Sequence, residues 1–92
     1  MNTTLQVKTY DLHKNLLHTD VDGFEHLPGA DLKEVVEDGI LANYDLDTRE
    51  STHYMNQLEG YNENPQFILL RSFDTDEIFE CSLVPVPEES TL

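Results

Sequence analysis

The chain of 92 residues carries nineteen Asp and Glu against five Lys and Arg, a net charge of −14 at pH 7. That length supports one small domain with a marginal core, and that charge argues against nucleic acid and anionic membranes as partners and for a basic protein surface. Leu, Ile, Val and Phe supply 26 of the 92 residues, more than disordered chains contain, while no run has the length of a membrane span or the make-up of a secretory leader, so a folded cytoplasmic protein is expected.

Residues 3–10 alternate Leu5, Val7 and Thr9 with Thr4, Gln6, Lys8 and Tyr10, the period of a half-buried strand. Residues 11–18 read two ways: Leu12, Leu16 and Leu17 line a short helix capped by Asp11, or they continue an extended segment. Residues 19–29 read as a loop, with turn residues at Gly23, Pro28 and Gly29. The clearest helix covers 31–43. Leu32, Val35, Val36 and Ile40 share one side at helical spacing, and Asp31, Glu34, Glu37 and Asp38 fall on the other. Gly39 sits on the apolar stripe at a cost of about 1 kcal/mol relative to Ala, which suggests close packing against the sheet.

A second helix is predicted from Asp47 or Thr48 to about Glu59, with Ser51, Tyr54, Met55 and Leu58 inward and Gly60 in the left-handed terminating position. Residues 66–73 form the densest apolar run and follow the turn signal Asn64-Pro65, so they read as a strand buried on much of both faces. A three-residue turn at Asp74-Thr75-Asp76 would set Arg71 opposite Phe79 and bring Phe67, Leu69, Phe79, Cys81 and Leu83 onto one inner face. Pro85 and Pro87 cannot continue a central strand, which divides the chain into an acidic domain over 1–84 and a flexible acidic tail over 85–92. The predicted fold is α+β: a small antiparallel sheet, made of the N-terminal strand and the C-terminal hairpin, with two main helices on one face.

No catalytic constellation is legible, and no enzyme activity is expected. Asp20-Val21-Asp22-Gly23 has calcium-loop spacing but places His18 and Gly29 where Asp and a bidentate Glu are required. The four histidines include no pair at the i,i+4 spacing of a helical zinc site, and Cys81, the single cysteine, falls on the inner face as a buried thiol. No metal or cofactor is expected. What stands out is the charge. Like charges three and four apart on the first helix destabilise it, yet few lysines relieve them. Four carboxylates over roughly 10 Å of axis approach the density of phosphates, one per roughly 3.4 Å of each DNA strand. Further acids stand at Asp20, Asp22 and Glu25, at Asp45, Asp47 and Glu50, at Glu59 and Glu63, and at Asp74, Asp76 and Glu77. The same side chains that tax the fold are candidates for contact with a cationic partner.

The chain's length and charge, its opening residues 1–10, the loop Thr19-Asp20-Val21-Asp22-Gly23-Phe24-Glu25 and the acidic helix from Asp31 resemble the small acidic DNA-mimic proteins of phages, of the Arn anti-restriction type found in T-even phages. The resemblance implies a protein that presents carboxylates in place of phosphates and occupies the DNA site of a host restriction endonuclease or histone-like nucleoid protein. It also implies a homodimer, no direct binding of nucleic acid and no catalytic residue. A compact chain of this length spans roughly 30 Å, about nine base pairs, so two copies would extend the imitation; Ile68, Leu70 and Ile78 on the outer hairpin face offer an apolar surface for pairing. The alternative is an immunity- or antitoxin-type inhibitor of one basic nuclease, built on a patch of Tyr44, Tyr54 and Tyr61 near Asp45, Asp47 and Glu50.

Overall fold

The computed structural model describes residues 2–86. In chain order the elements are β1 (Thr3–Asp11), β2 (Leu16–Val21), α1 (Leu32–Leu41), α2 (Thr48–Leu58), β3 (Ile68–Arg71) and β4 (Glu77–Pro85). The strands make one antiparallel sheet in the order β2-β1-β4-β3. This is the α+β arrangement expected, with the N-terminal strand pairing to the C-terminal hairpin and one further strand, β2, added outside. Both helices cover one face. Leu32, Val36 and Ile40 of α1 and Leu58 of α2 are buried with Ile68, Leu70 and Cys81 of the sheet, and Leu5, Val7, Phe79 and Leu83 pack against them.

The ambiguous segment after β1 turns out to be a hairpin, not a helix. Asp11 does act as a cap, but of a turn: its Oδ1 accepts from the backbone N–H groups of His13 at 2.8 Å and Asn15 at 2.9 Å. Lys14 takes the left-handed conformation at φ 68°, which lets Asp11 N–H reach the Asn15 carbonyl at 3.0 Å and sends the chain back along β1. Local side-chain bonding of this kind competes with helix formation. Residues 19–21, read as loop, therefore belong to β2, and a bulge at Leu16–Leu17 shifts its register against Thr9 and Tyr10.

The largest correction concerns 66–73. Only Ile68–Arg71 is strand, and it lies at the sheet edge rather than the centre. Its register against β4 is Ile68↔Cys81, Leu70↔Phe79 and Arg71↔Ile78, one residue off the expected pairing. A one-residue slip reverses every side chain, so Ile68 and Leu70 face the core while Phe67 and Leu69 are 51% and 43% exposed. The turn explains the slip. Ser72 N–H donates to the Glu77 carbonyl at 3.0 Å, closing a loop over 73–76 that includes Phe73. Phe73 is drawn out of the strand by α2: its N–H donates to Tyr54 Oη at 3.1 Å, and its ring meets His53 edge-on and lies beneath Arg49.

Helix α2 and the turn that follows it also seal the outer edge of β3. Tyr61 Oη accepts from Leu69 N–H at 2.8 Å and donates to the Leu69 carbonyl at 3.3 Å. Gln57 Oε1 accepts from Arg71 N–H at 2.7 Å, and Gln57 Nε2 donates to the Arg71 carbonyl at 3.1 Å. Side chains thus stand in for a fifth strand and satisfy main-chain groups that an edge leaves open.

Caps define both helices. Asp31 Oδ1 accepts from Lys33 N–H, and Asp47 Oδ1 from Glu50 N–H. Gly60 does not adopt the left-handed conformation; Glu59 ends α2 in right-handed geometry. Nor does Gly39 serve close packing. A Cβ placed there meets nothing within 4 Å, because Gly39 borders an open apolar cleft of about 380 Å³ shared with Leu5, Val7, Ile40 and Phe79. Gly39→Ala should therefore stabilise the protein by about 0.5–1 kcal/mol through helix propensity alone, raising Tm by about 4 °C in thermal denaturation. A fall in Tm would show that the sheet approaches this position more closely than described.

Strand β4 runs one residue beyond the expected boundary, through Pro85. Thr3, its partner, exchanges main-chain bonds with His26 instead (N–H to carbonyl at 2.9 and 2.7 Å), so the missing proline N–H costs no ladder bond. Residues 87–92, the rest of the expected tail, lie outside the described residues. The body measures 44 × 27 × 25 Å, longer than the compact estimate.

Candidate functional site

Among the described residues the acids divide into those that serve the fold and those that serve nothing inside it. Asp31 and Asp47 are helix caps, and Asp31 also accepts from Asn64 N–H at 3.0 Å, which ties the chain leading into β3 to α1. Asp31 is thus half-buried and inward-bonded, not part of the outward face assigned to it. Asp22 accepts from Thr4 Oγ1 at 2.9 Å and Phe24 N–H at 3.0 Å, and Glu25 from Asn2 Nδ2 at 3.2 Å; these bonds fasten the chain after β2 to β1. Glu77 accepts from Thr75 Oγ1 within the 73–76 turn. Asp11, absent from the candidates, has its carboxyl held below the usual range by the backbone and side chain of Asn15. A lowered value means that the turn is supported above the ordinary carboxylate range and loses that support as pH falls through it.

The second group forms the candidate surface. Glu34 and Asp38 are exposed on α1, and Glu37 is half-buried between them. Asp45 lies in the exposed α1–α2 loop, Glu50 on the first turn of α2, Glu59 at its C-cap and Glu63 in the turn beside Asn64. Asp74 and Asp76 project from the β3–β4 loop at the end of the sheet where His53 and Arg71 also sit. Asp20 stands on β2, 73% exposed, with His18 Nε2 at 3.6 Å. Helical layer, β3–β4 loop and β2 together spread these carboxylates along the molecule.

Cations do not neutralise them. Among the described residues the ion pairs within 4.0 Å are His18–Asp20 and His26–Asp22, and none involves Lys or Arg. Lys33, one turn before Glu37, donates instead to the Tyr61 carbonyl at 2.8 Å. Arg49 lies over the Phe73 ring, 5.8 Å from its centroid. Lys8 and Arg71 belong to the opposite, outer face of the sheet with Glu80. Neither helix carries a base in its last turn, and Glu59 at the α2 C-terminus opposes the helix dipole, a contact worth about 0.3–1 kcal/mol in the wrong direction. Lys33 and Arg49 stand on the helices themselves but are engaged with a carbonyl and a ring rather than with the neighbouring carboxylates.

Two sequence-based surfaces are not assembled. Ile68 and Leu70, offered as an outer apolar face, are buried, leaving Ile78 with Leu69 and Tyr10 on that side. The three tyrosines are also split. Tyr54 and Tyr61 commit their hydroxyls to the main chain of Phe73 and Leu69, and only Tyr44, 98% exposed, is free to meet a partner. Cys81 is buried against α1, and desolvation, with Glu80 adding to it, pushes its thiol up to about 11; a thiol so protonated is a poor nucleophile. Among the described residues no group of three or more His, Cys, Asp or Glu is placed to hold a metal, and no helix is long and apolar enough to cross a membrane.

No protein-family model matches the chain, and searches of curated proteins and of solved structures return no significant match. The functional reading therefore rests on the surface itself.

Proposed function

We propose that the protein is a DNA mimic: it presents surface carboxylates where DNA presents phosphates and blocks a basic DNA-binding protein of the host cytoplasm, either a restriction endonuclease or a histone-like nucleoid protein. The observation that carries this reading is that its carboxylates lack any Lys or Arg partner within 4.0 Å among the described residues while lysine and arginine are turned elsewhere. Selection for stability alone would pair them, since like charges at helical spacing and acids at helix C-termini both destabilise. A cationic groove shaped for DNA would supply the missing counter-charge. The immunity-type alternative needs a compact aromatic and acidic patch, and the separate roles of Tyr54 and Tyr61 weigh against it.

The test is competition. Added to a complex of duplex DNA with a histone-like protein or a restriction endonuclease, the protein should release the DNA, and the inhibition should weaken steeply as salt rises and screens the interface. It should also act on more than one unrelated DNA-binding protein, where an immunity-type inhibitor acts on one. Failure to release DNA from any of them at low salt would sink the proposal.

A further inference from the structure

The helices leave part of the sheet's inner face uncovered. Helix α1 packs on β4 and α2 on β3, while Leu5 and Val7 of β1 and Phe79 of β4 stay only half-buried. Here lies the apolar cleft of about 380 Å³ that Gly39 borders, reaching inward to the buried Leu70 and Cys81. None of the residues that line it is charged, although charged residues make up 26% of the chain. Gly39 sharpens the point. A glycine inside a helix weakens it, and this one serves neither a left-handed turn nor a close approach, since a Cβ there meets nothing within 4 Å. What the missing side chain does is keep the cleft open.

We propose that this cleft is a binding site for a neutral, apolar small molecule built on aromatic or alicyclic rings. Its size and lining are those of ligand pockets, which hold roughly 300–1,000 Å³ and are mostly hydrophobic with a few polar groups. An apolar cavity of about 150 Å³ admits one benzene, so this one has room for about two or three rings. The charge class follows from the lining. A carboxylate or phosphate would find no cation in the cleft and would approach a chain of net charge −14. A cationic group would be desolvated there with no carboxylate to meet it. Cys81 adds no charge either, because burial keeps its thiol protonated. Asn43 is the one amide of the lining; its Oδ1 is committed to Asp45 N–H at 3.0 Å, which leaves Nδ2 to donate to a single ligand oxygen or nitrogen. The site goes beyond the DNA-mimic reading and does not rest on it, because its lining includes none of the outward carboxylates.

Two fluorescent probes of nearly the same shape test both the site and the charge class. Neutral N-phenyl-1-naphthylamine should bind the full chain with Kd on the order of 10 µM, and its sulfonated, anionic analogue 1-anilinonaphthalene-8-sulfonate at least about tenfold more weakly. On titration with the neutral probe, the methyl NMR signals of Leu5, Val7, Val36 and Leu70 should shift, while those of Leu27 and Leu69, exposed elsewhere, should stay. Gly39→Leu places a side chain in the cleft and should lower affinity for the neutral probe at least about tenfold, with the circular dichroism spectrum unchanged. Absence of binding by the neutral probe overturns the proposal, as does equal binding of the two probes. So do shifts confined to Leu27 and Leu69, which mean adsorption to the outer surface, or a folded Gly39→Leu variant that binds as the wild type does. Should Gly39→Leu fail to fold, the NMR shifts of the wild-type protein decide. DNA competition is scored separately, so the loss of one proposal leaves the other standing.

Discussion

Ile68→Ala should unfold the protein or come close to it, while Leu69→Ala, one residue along, should leave it folded. Ile68 is fully buried against Cys81 and the helices (0% exposed), and Leu69 is 43% exposed on the outer face. Truncating a buried Ile costs about 2–5 kcal/mol through lost burial and the cavity left behind. A small domain has about 5–15 kcal/mol in total, and one with a net charge of −14 sits at the lower end because of self-repulsion. Leu69→Ala should cost less than about 1 kcal/mol, since its side chain is already half in water. Urea denaturation followed by circular dichroism would measure both. The pair reads the β3 register directly: with Arg71 opposite Phe79 the two costs would be exchanged, so a Leu69→Ala variant as damaged as Ile68→Ala would refute the observed pairing.

Neutralising the outward carboxylates of α1 as E34Q, E37Q and D38N together should weaken the proposed inhibition of DNA-binding proteins by about five- to 160-fold, taking roughly 0.3–1 kcal/mol for each exposed charge contact. Asp31 is left in place because its carboxylate caps α1 and holds Asn64 N–H. The same variant should melt at a higher temperature than the wild type at low salt, since Glu34 and Asp38 repel at i,i+4, with the gain shrinking as the Debye length contracts from about 30 Å at 0.01 M to about 10 Å at 0.1 M. Opposite signs for the two readouts separate a functional charge from a structural one. Unchanged competition by a well-folded triple variant would remove α1 from the contact surface and move the proposal to Asp45, Glu50, Glu59 and Glu63.

Much of this molecule is written in its local pattern. The 3.6-residue spacing of Leu32, Val36 and Ile40, the cap at Asp47 and the alternation of Leu5, Val7 and Thr9 against Tyr10 and Lys8 each depend on residues within a turn or two of one another. Each reappears in the fold. So does the surplus of carboxylate, which composition alone imposes. Where the charges go is another matter. That Lys33 turns to Tyr61, that Arg49 settles on Phe73 and that Asp31 reaches Asn64 are contacts between segments far apart in the chain, and no spacing rule reveals them.

The β3 register shows why. Alternation in 66–71 is equally compatible with either face inward, because Phe67, Leu69, Ile68 and Leu70 are all apolar; the choice falls to the turn, and the turn is set by Tyr54 accepting from Phe73. The N-terminal hairpin was hidden for a similar reason, its Asx cap at Asp11 having the same sequence appearance as a helix cap. Composition and local periodicity determine which elements this chain can make and how much negative charge it must display. The tertiary contacts of α2 decide which side of β3 is core, which sheet edge is closed, and which carboxylates are left facing water, because a side chain's partner from a distant segment outweighs a local preference of a few tenths of a kcal/mol.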